Sequence, residues 1–238
     1  MIDLDEWLKG LDEEDDREVR DNEEYQRKLF SEYVLRKNDN LSKRKELQSR
    51  YLSGENITGE KGLRKELAAF DLSYFGRAYL PHYFVRKSPA FHEELDAIWE
   101  QGVMKGRNPL EKGNGIDRLK GSRNVLAAPR GHAKSTNFTF KDSLHAVLYR
   151  YKHYLIIISD SSDQAEGFLE DIRNELEENY NIIQDFGYLK GEKAWNTKTL
   201  LTNTDIKVEA LGSGKKIRGR RHRNWRPDLL DFDTDLEN

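Results

Sequence analysis

The sequence predicts an α/β fold of the P-loop nucleoside-triphosphatase class, a mostly parallel sheet flanked by helices behind a helical N-terminal appendage. Three observations predict it. From about residue 122 onward, short apolar runs alternate with segments of helical period, the signature of a βαβ sheet. One of those runs, Tyr154-Leu155-Ile156-Ile157-Ile158, is apolar throughout, as a central parallel strand should be. Between the first strand candidate and its helix stands Ala127-Ala128-Pro129-Arg130-Gly131-His132-Ala133-Lys134-Ser135-Thr136, laid out as a phosphate-binding loop with Ala128 and Ala133 in place of its two glycines.

At 238 residues the chain is long enough for one domain of ordinary size with a sizeable appendage, and too short for three. Forty Lys and Arg against 43 Asp and Glu leave a formal charge of −3, so any nucleic-acid surface must be local. No apolar run approaches the roughly 18 residues of a membrane span, and the acidic start Met1-Ile2-Asp3-Leu4-Asp5-Glu6 is the opposite of a signal peptide, so the reading is a soluble protein. The absence of cysteine excludes disulfides, Cys-ligated zinc, iron–sulfur clusters and thiol catalysis, and fits a reducing cytoplasm.

Residues 1–60 read as an acidic helical appendage. Twelve acids lie between Met1 and Glu24 against Lys9, Arg17 and Arg20, which suits a solvated helix or a partner-binding tail. Tyr25, Leu29 and Tyr33, then Leu41, Leu47 and Tyr51, mark one or two amphipathic helices broken around Asn38-Asp39-Asn40. Residues 61–121 read as a helical, aromatic segment leading into the ATPase domain and closing in a Gly-rich loop. Its rings, among them Tyr74, Phe75, Tyr79, Tyr83, Phe84 and Phe91, either pack in core or offer one π-face to a purine.

Residues 122–238 read as the P-loop core. Val125-Leu126-Ala127 is a buried strand candidate, and Lys134 to Tyr149 an amphipathic helix with Phe140, Leu144, Val147 and Leu148 on one side. Ser161 is the expected N-cap of the next helix, with Gln164 at the capping-box position. Further strands are expected near Thr199 to Leu201, over Ile206, Val208 and Ala210, and at Leu229 to Phe232.

Three constellations carry chemistry. Consecutive backbone N–H groups over Pro129, Arg130, Gly131, His132, Ala133, Lys134, Ser135 and Thr136 would cradle the phosphates of ATP at a helix head. Lys134 would reach the β- and γ-phosphates, Ser135 would ligate Mg2+, and Arg130 would stabilise charge on the γ-phosphate. At the far end, Asp233 suits a magnesium aspartate at a strand terminus, and Asp235 or Glu237 a carboxylate polarising the attacking water. Asp231 interrupts that strand with a charge where burial is expected. Between Gly214 and Arg226, Lys215, Lys216, Arg218, Arg220, Arg221, Arg223 and Arg226 occur with no acid, a density that supports binding to a DNA backbone with Trp225 available for stacking. A solvated loop pairing with the acidic N-terminus is the alternative reading.

From about Phe70 to the end, the phosphate-loop string, Ile158-Ser159-Asp160-Ser161 with Gln164-Ala165, and Ile217-Arg218-Gly219 followed by Arg226-Pro227-Asp228-Leu229 together resemble the ATPase portion of a tailed-bacteriophage terminase large subunit. The resemblance implies a RecA-like P-loop fold of the additional-strand, conserved-glutamate type that couples hydrolysis to movement along double-stranded DNA. It implies that Arg130 acts on ATP, that Lys134 is the lysine of the phosphate loop, and that adenine packs near Tyr74 to Phe84. It also implies a small terminase subunit and a portal protein as partners, a homo-oligomer on the portal, and the host bacterial cytoplasm as the location. One residue too many separates Arg226-Pro227-Asp228 from Glu237-Asn238 relative to the family pattern, so Asp233 and Asp235 cannot both fall on its paired acids. The family's coupling strands and nuclease acids have no counterpart here, so the chain reads as C-terminally truncated: a motor fragment, or a non-catalytic prophage remnant that binds nucleotide, DNA or partners. A small-molecule kinase on the same loop is a third reading.

Overall fold

A computed structural model describes residues 22–104, 122–128 and 131–233. Five strands, β1 (Tyr154–Ser159), β2 (Lys190–Trp195), β3 (Thr199–Thr202), β4 (Lys207–Gly212) and β5 (Leu229–Asp233), form one sheet in the order β2-β3-β4-β1-β5. The apolar run expected as a central strand is central: every residue of β1 is buried, and it pairs in parallel with β4 on one side and β5 on the other.

The sheet is mixed rather than mostly parallel. β2 pairs antiparallel with β3 and β3 antiparallel with β4. The connections dictate this, because short turns can only join antiparallel neighbours whereas parallel pairs need a long crossover. The β3–β4 turn closes with Asp205 in the left-handed region at φ 68° and the Thr202 amide donating to the Ile206 carbonyl. Strand β2, Lys-Gly-Glu-Lys-Ala-Trp, has no apolar alternation and was not legible as a strand.

The strand expected at Val125-Leu126-Ala127 does not form. Residues 122–128 carry no secondary structure, and Val125 is 91% exposed. A strand exists only through its ladder, and among the described residues none pairs with this stretch or with the outer edge of β5.

Among the described residues eight α-helices pack on one side of the sheet: α1 (residues 22–33), α2 (Leu41–Leu52), α3 (Leu63–Ala68), α4 (Leu72–Tyr79), α5 (Ala90–Trp99), α6 (Ser143–Leu148), α7 (Ser162–Glu178) and α8 (Tyr180–Phe186). The break expected at Asn38-Asp39-Asn40 is present, with Asn40 left-handed at φ 50° ahead of α2. Side chains from α1 and α2, such as Phe30, Tyr33 and Leu47, lie in the same continuous core as Leu155 and Ile157 of the sheet. The rings of Tyr74, Phe75 and Tyr79 are wholly buried there, so the packing reading of the aromatic segment holds for them. Buried guanidiniums bolt the layer together. Arg64 of α3 holds Asp185 at 2.7 Å and Asn181 at 2.9 Å, both on α8, and Arg44 of α2 holds Asp71, the N-cap of α4, at 2.9 Å.

Candidate functional site

In an open α/β sheet, ligands meet the carboxyl ends of the parallel strands, where loops and helix N-termini converge. Here that edge collects Ser159 of β1, Gly212 of β4 and Asp233 of β5. The Ser159 hydroxyl donates to the Asp233 carbonyl at 2.8 Å, and the Ser213 amide donates to the Ser159 carbonyl at 2.7 Å. The three strand ends are therefore locked side by side. Ser161 caps α7 as expected, its Oγ accepting from the Gln164 amide at 3.1 Å.

Facing this edge is the helical stretch that opens with Lys134 and Ser135, runs through a π-helical Thr136–Asp142 and continues as α6. The turn before it has Gly131 at φ 82° and Ala133 at φ 51°. Left-handed residues in a turn gather N–H groups toward one side, the geometry of an anion-binding concavity. Ala133 occupies the position where a phosphate loop ordinarily has glycine, at a cost of about 1 kcal/mol for its Cβ. The head of α5 supports the turn: His92 Nε2 donates to the His132 carbonyl at 2.9 Å, and the Phe91 ring meets the His132 ring edge-on.

Across the gap, Lys134 Nζ lies 2.9 Å from Asp233 Oδ1, with the lysine 24% and the aspartate 6% exposed. This joins the two constellations that the sequence separates most widely. Gly131, His132 and Ala133 are exposed, and Lys134, Ser135 and Thr136 half-buried. Pro129 and Arg130, and also Asp235 with Glu237, lie outside the described residues.

Two residues before Asp233 on the same face of β5, the Asp231 carboxyl is buried and hydrogen-bonded to Thr139, with its Oδ2 unpartnered. Burial pushes it up to about 6, and the Asp233 charge adds to that while the Thr139 hydrogen bond and Lys134 oppose it. The charge that seemed out of place in a buried run is thus held mostly protonated at mildly acid pH. Deeper still, Lys141 contacts Asp96 at 2.5 Å and Asp142 at 3.3 Å, all three buried. Burial drives Asp142 well above the carboxylate range despite Lys141, and both its oxygens lack a hydrogen bond. The Lys141–Asp96 contact had no signal in the sequence, because its partners lie on different helices.

The basic segment runs from the end of β4 back to the start of β5. Lys215, Lys216, Arg218 and Arg221 are exposed. Arg220 instead pairs with Glu209 at 3.1 Å and Arg223 with Asp205 at 3.1 Å. Trp225 is not available for stacking as expected, because its ring lies on His153 at 3.9 Å and 11°. This end of the segment is pinned where β5 begins, at the opposite end of the strands from Asp233.

The groups fit a magnesium nucleotide in kind. Mg2+ is typically held by one or two carboxylates or hydroxyls together with phosphate oxygens and water, and Asp233 and Ser135 supply that set. Among the described residues no three His, Asp or Glu side chains converge as a dedicated metal cage. No described helix is long and apolar enough to cross a membrane. Compared with family models, with curated proteins and with solved structures, the chain matches none.

Proposed function

We propose that this chain is the ATP-binding and hydrolysing module of a motor that moves double-stranded DNA, of the terminase large-subunit type. The observation that supports it is the 2.9 Å contact between Lys134, at the head of a helix behind a left-handed turn, and Asp233, itself buried at the carboxyl end of the parallel strand β5. In this reading the N–H groups from Gly131 to Thr136 and the Lys134 ammonium hold the phosphates, and Ser135 and Asp233 hold the magnesium. Magnesium-bound ATP supplies the anhydride bond to be broken and the cation that offsets charge on it. Arg130 and Asp235 would stabilise that charge and polarise the attacking water. The chain's own contribution is positioning: Ser159 fixes Asp233, Asp233 fixes Lys134, and His92 fixes the turn.

Two further features bear on partners. The exposed cations Lys215, Lys216, Arg218 and Arg221 suit a DNA backbone, and the portal and small subunit follow from the family reading. Of the aromatic segment's rings, Tyr83 is exposed and Phe91 touches the turn through His132, so these two are the candidates for adenine. The test is Lys134→Ala. Removing a charged hydrogen-bond donor should weaken ATP binding by about tenfold to a hundredfold, measured by calorimetry with magnesium present. Unchanged affinity would sink the assignment. ATP turnover with and without duplex DNA then separates a motor module from a binding-only one, which would show none in either condition.

A further inference from the structure

We propose that the acidic N-terminal segment, residues 1–21, docks on the sheet face opposite the helices, along β5 and the basic crossover. β1 splits its side chains between two layers. Leu155 and Ile157 point into the core beneath the helices, whereas Tyr154, Ile156 and Ile158 form a second, small cluster whose partly buried neighbours are Leu211 and Ile217. Register places Leu230 beside Ile156 and Phe232 beside Ile158, so both belong to this second layer, and they are 42% and 56% exposed. Parallel strands are normally covered on both faces, and a pair of large apolar side chains at this exposure marks where a cover belongs. The other half of the face is cationic: Ile217 packs down while Lys215, Lys216, Arg218 and Arg221 stay exposed around it.

The segment matches both halves. Its 21 residues hold ten acids against Lys9, Arg17 and Arg20. Leu4, Trp7, Leu8 and Leu11 recur at i, i+3, i+4 and i+7, the spacing of anchors that an amphipathic helix lays into an apolar groove. Those anchors suit Leu230 and Phe232, and the acids suit the crossover cations. The tether is long enough. Asn22 is tied to Asn181 at the head of α8, and the eleven residues from Leu11 to Asn22 span about 36 Å when extended, twice the roughly 18 Å radius of gyration of a compact chain this long. The docking does not depend on the nucleotide reading. It does mean that a phosphate backbone would have to displace the segment to reach these cations.

Because these 238 residues hold no cysteine, introduced pairs report proximity within the chain without interference. Under mild oxidation Gly10→Cys with Lys216→Cys should form a disulfide about tenfold faster than Gly10→Cys with Tyr188→Cys, since docking raises effective concentration at one site only. Tyr188 is the stringent control, being exposed and two residues beyond α8, where the tether is anchored. The product should run as a cross-linked monomer, and adding Trp7→Ala and Leu8→Ala should return its rate to the control's. Equal rates for the two pairs, insensitivity to loss of Trp7 and Leu8, or a product of doubled mass would overturn the proposal, the last by giving the face to a second copy.

Discussion

Lys134 and Lys141 stand seven residues apart on one helical stretch, and each meets an aspartate from another element, yet their surroundings differ completely. Lys141 is sealed between Asp96 and Asp142. Burial by itself lowers its affinity for a proton, and the two carboxylates more than restore it, so it stays charged. Lys134 keeps one side open to solvent, with Asp233 as its anchor. A sealed ion pair is a fixed part of the fold, because either partner alone would be a charge in a low-dielectric interior. A half-open pair can exchange one anion for another at less cost than a sealed one.

The largest test of that contrast is Lys141→Ala. It strands two carboxyls in the core and should cost about 3–5 kcal/mol, lowering the melting temperature by roughly 10 °C. A loss below about 1 kcal/mol, the range of exposed pairs, would erase the distinction. Next comes Asp231→Asn. A carboxyl whose folded pKa is raised binds more protons folded than unfolded, so its ionisation erodes stability as pH climbs from about 4 to about 6. Removing the charge should therefore gain about 2–3 kcal/mol at pH 8 and little at pH 4, read from urea unfolding at the two values. A pH-independent effect would place Asp231 in a solvated setting.

Lys134→Ala sharpens the comparison from the other side. It leaves the buried Asp233 without its cation but with solvent close by, so the stability loss should be about 1–2 kcal/mol, well short of that for Lys141→Ala, read from thermal unfolding without nucleotide. The smallest expected effect is at Ala133. Replacing it by glycine relieves the left-handed strain of about 1 kcal/mol but loosens the unfolded chain, for a net stability gain of about 0.5 kcal/mol, seen as a slightly higher urea midpoint. Destabilisation instead would mean that the turn is not left-handed there.

How much of this was readable in advance depends on how local each cause is. The cap Ser161, the break at Asn40, the buried stripe Ala165, Leu169, Ile172 and Leu176, and strands β1, β4 and β5 all follow from neighbours within a few residues. Of the candidate site, Lys134 and Asp233 were visible as residue types, though not that they meet. Even the oddity of Asp231 was visible, though not its buried setting beside Thr139. Strand β2 was invisible because Lys190 to Trp195 is amphiphilic in no regular way and is a strand only by pairing with β3. Val125 erred in the opposite direction: an apolar run with no ladder beside it stays exposed.

By itself the sequence determined the helix caps, the apolar central strand, the sorting of charge and the placing of a lysine at a helix head, since each is set by spacing over one or two turns. Tertiary structure alone decided that Lys134 meets Asp233, that Lys141 is sealed with Asp96, that Trp225 is spent on His153, and that Leu230 and Phe232 of β5 are left exposed near a row of cations. Those outcomes depend on the order in which strands stack and on what each face is left to cover, and no local pattern encodes the free energy of burying one distant group against another.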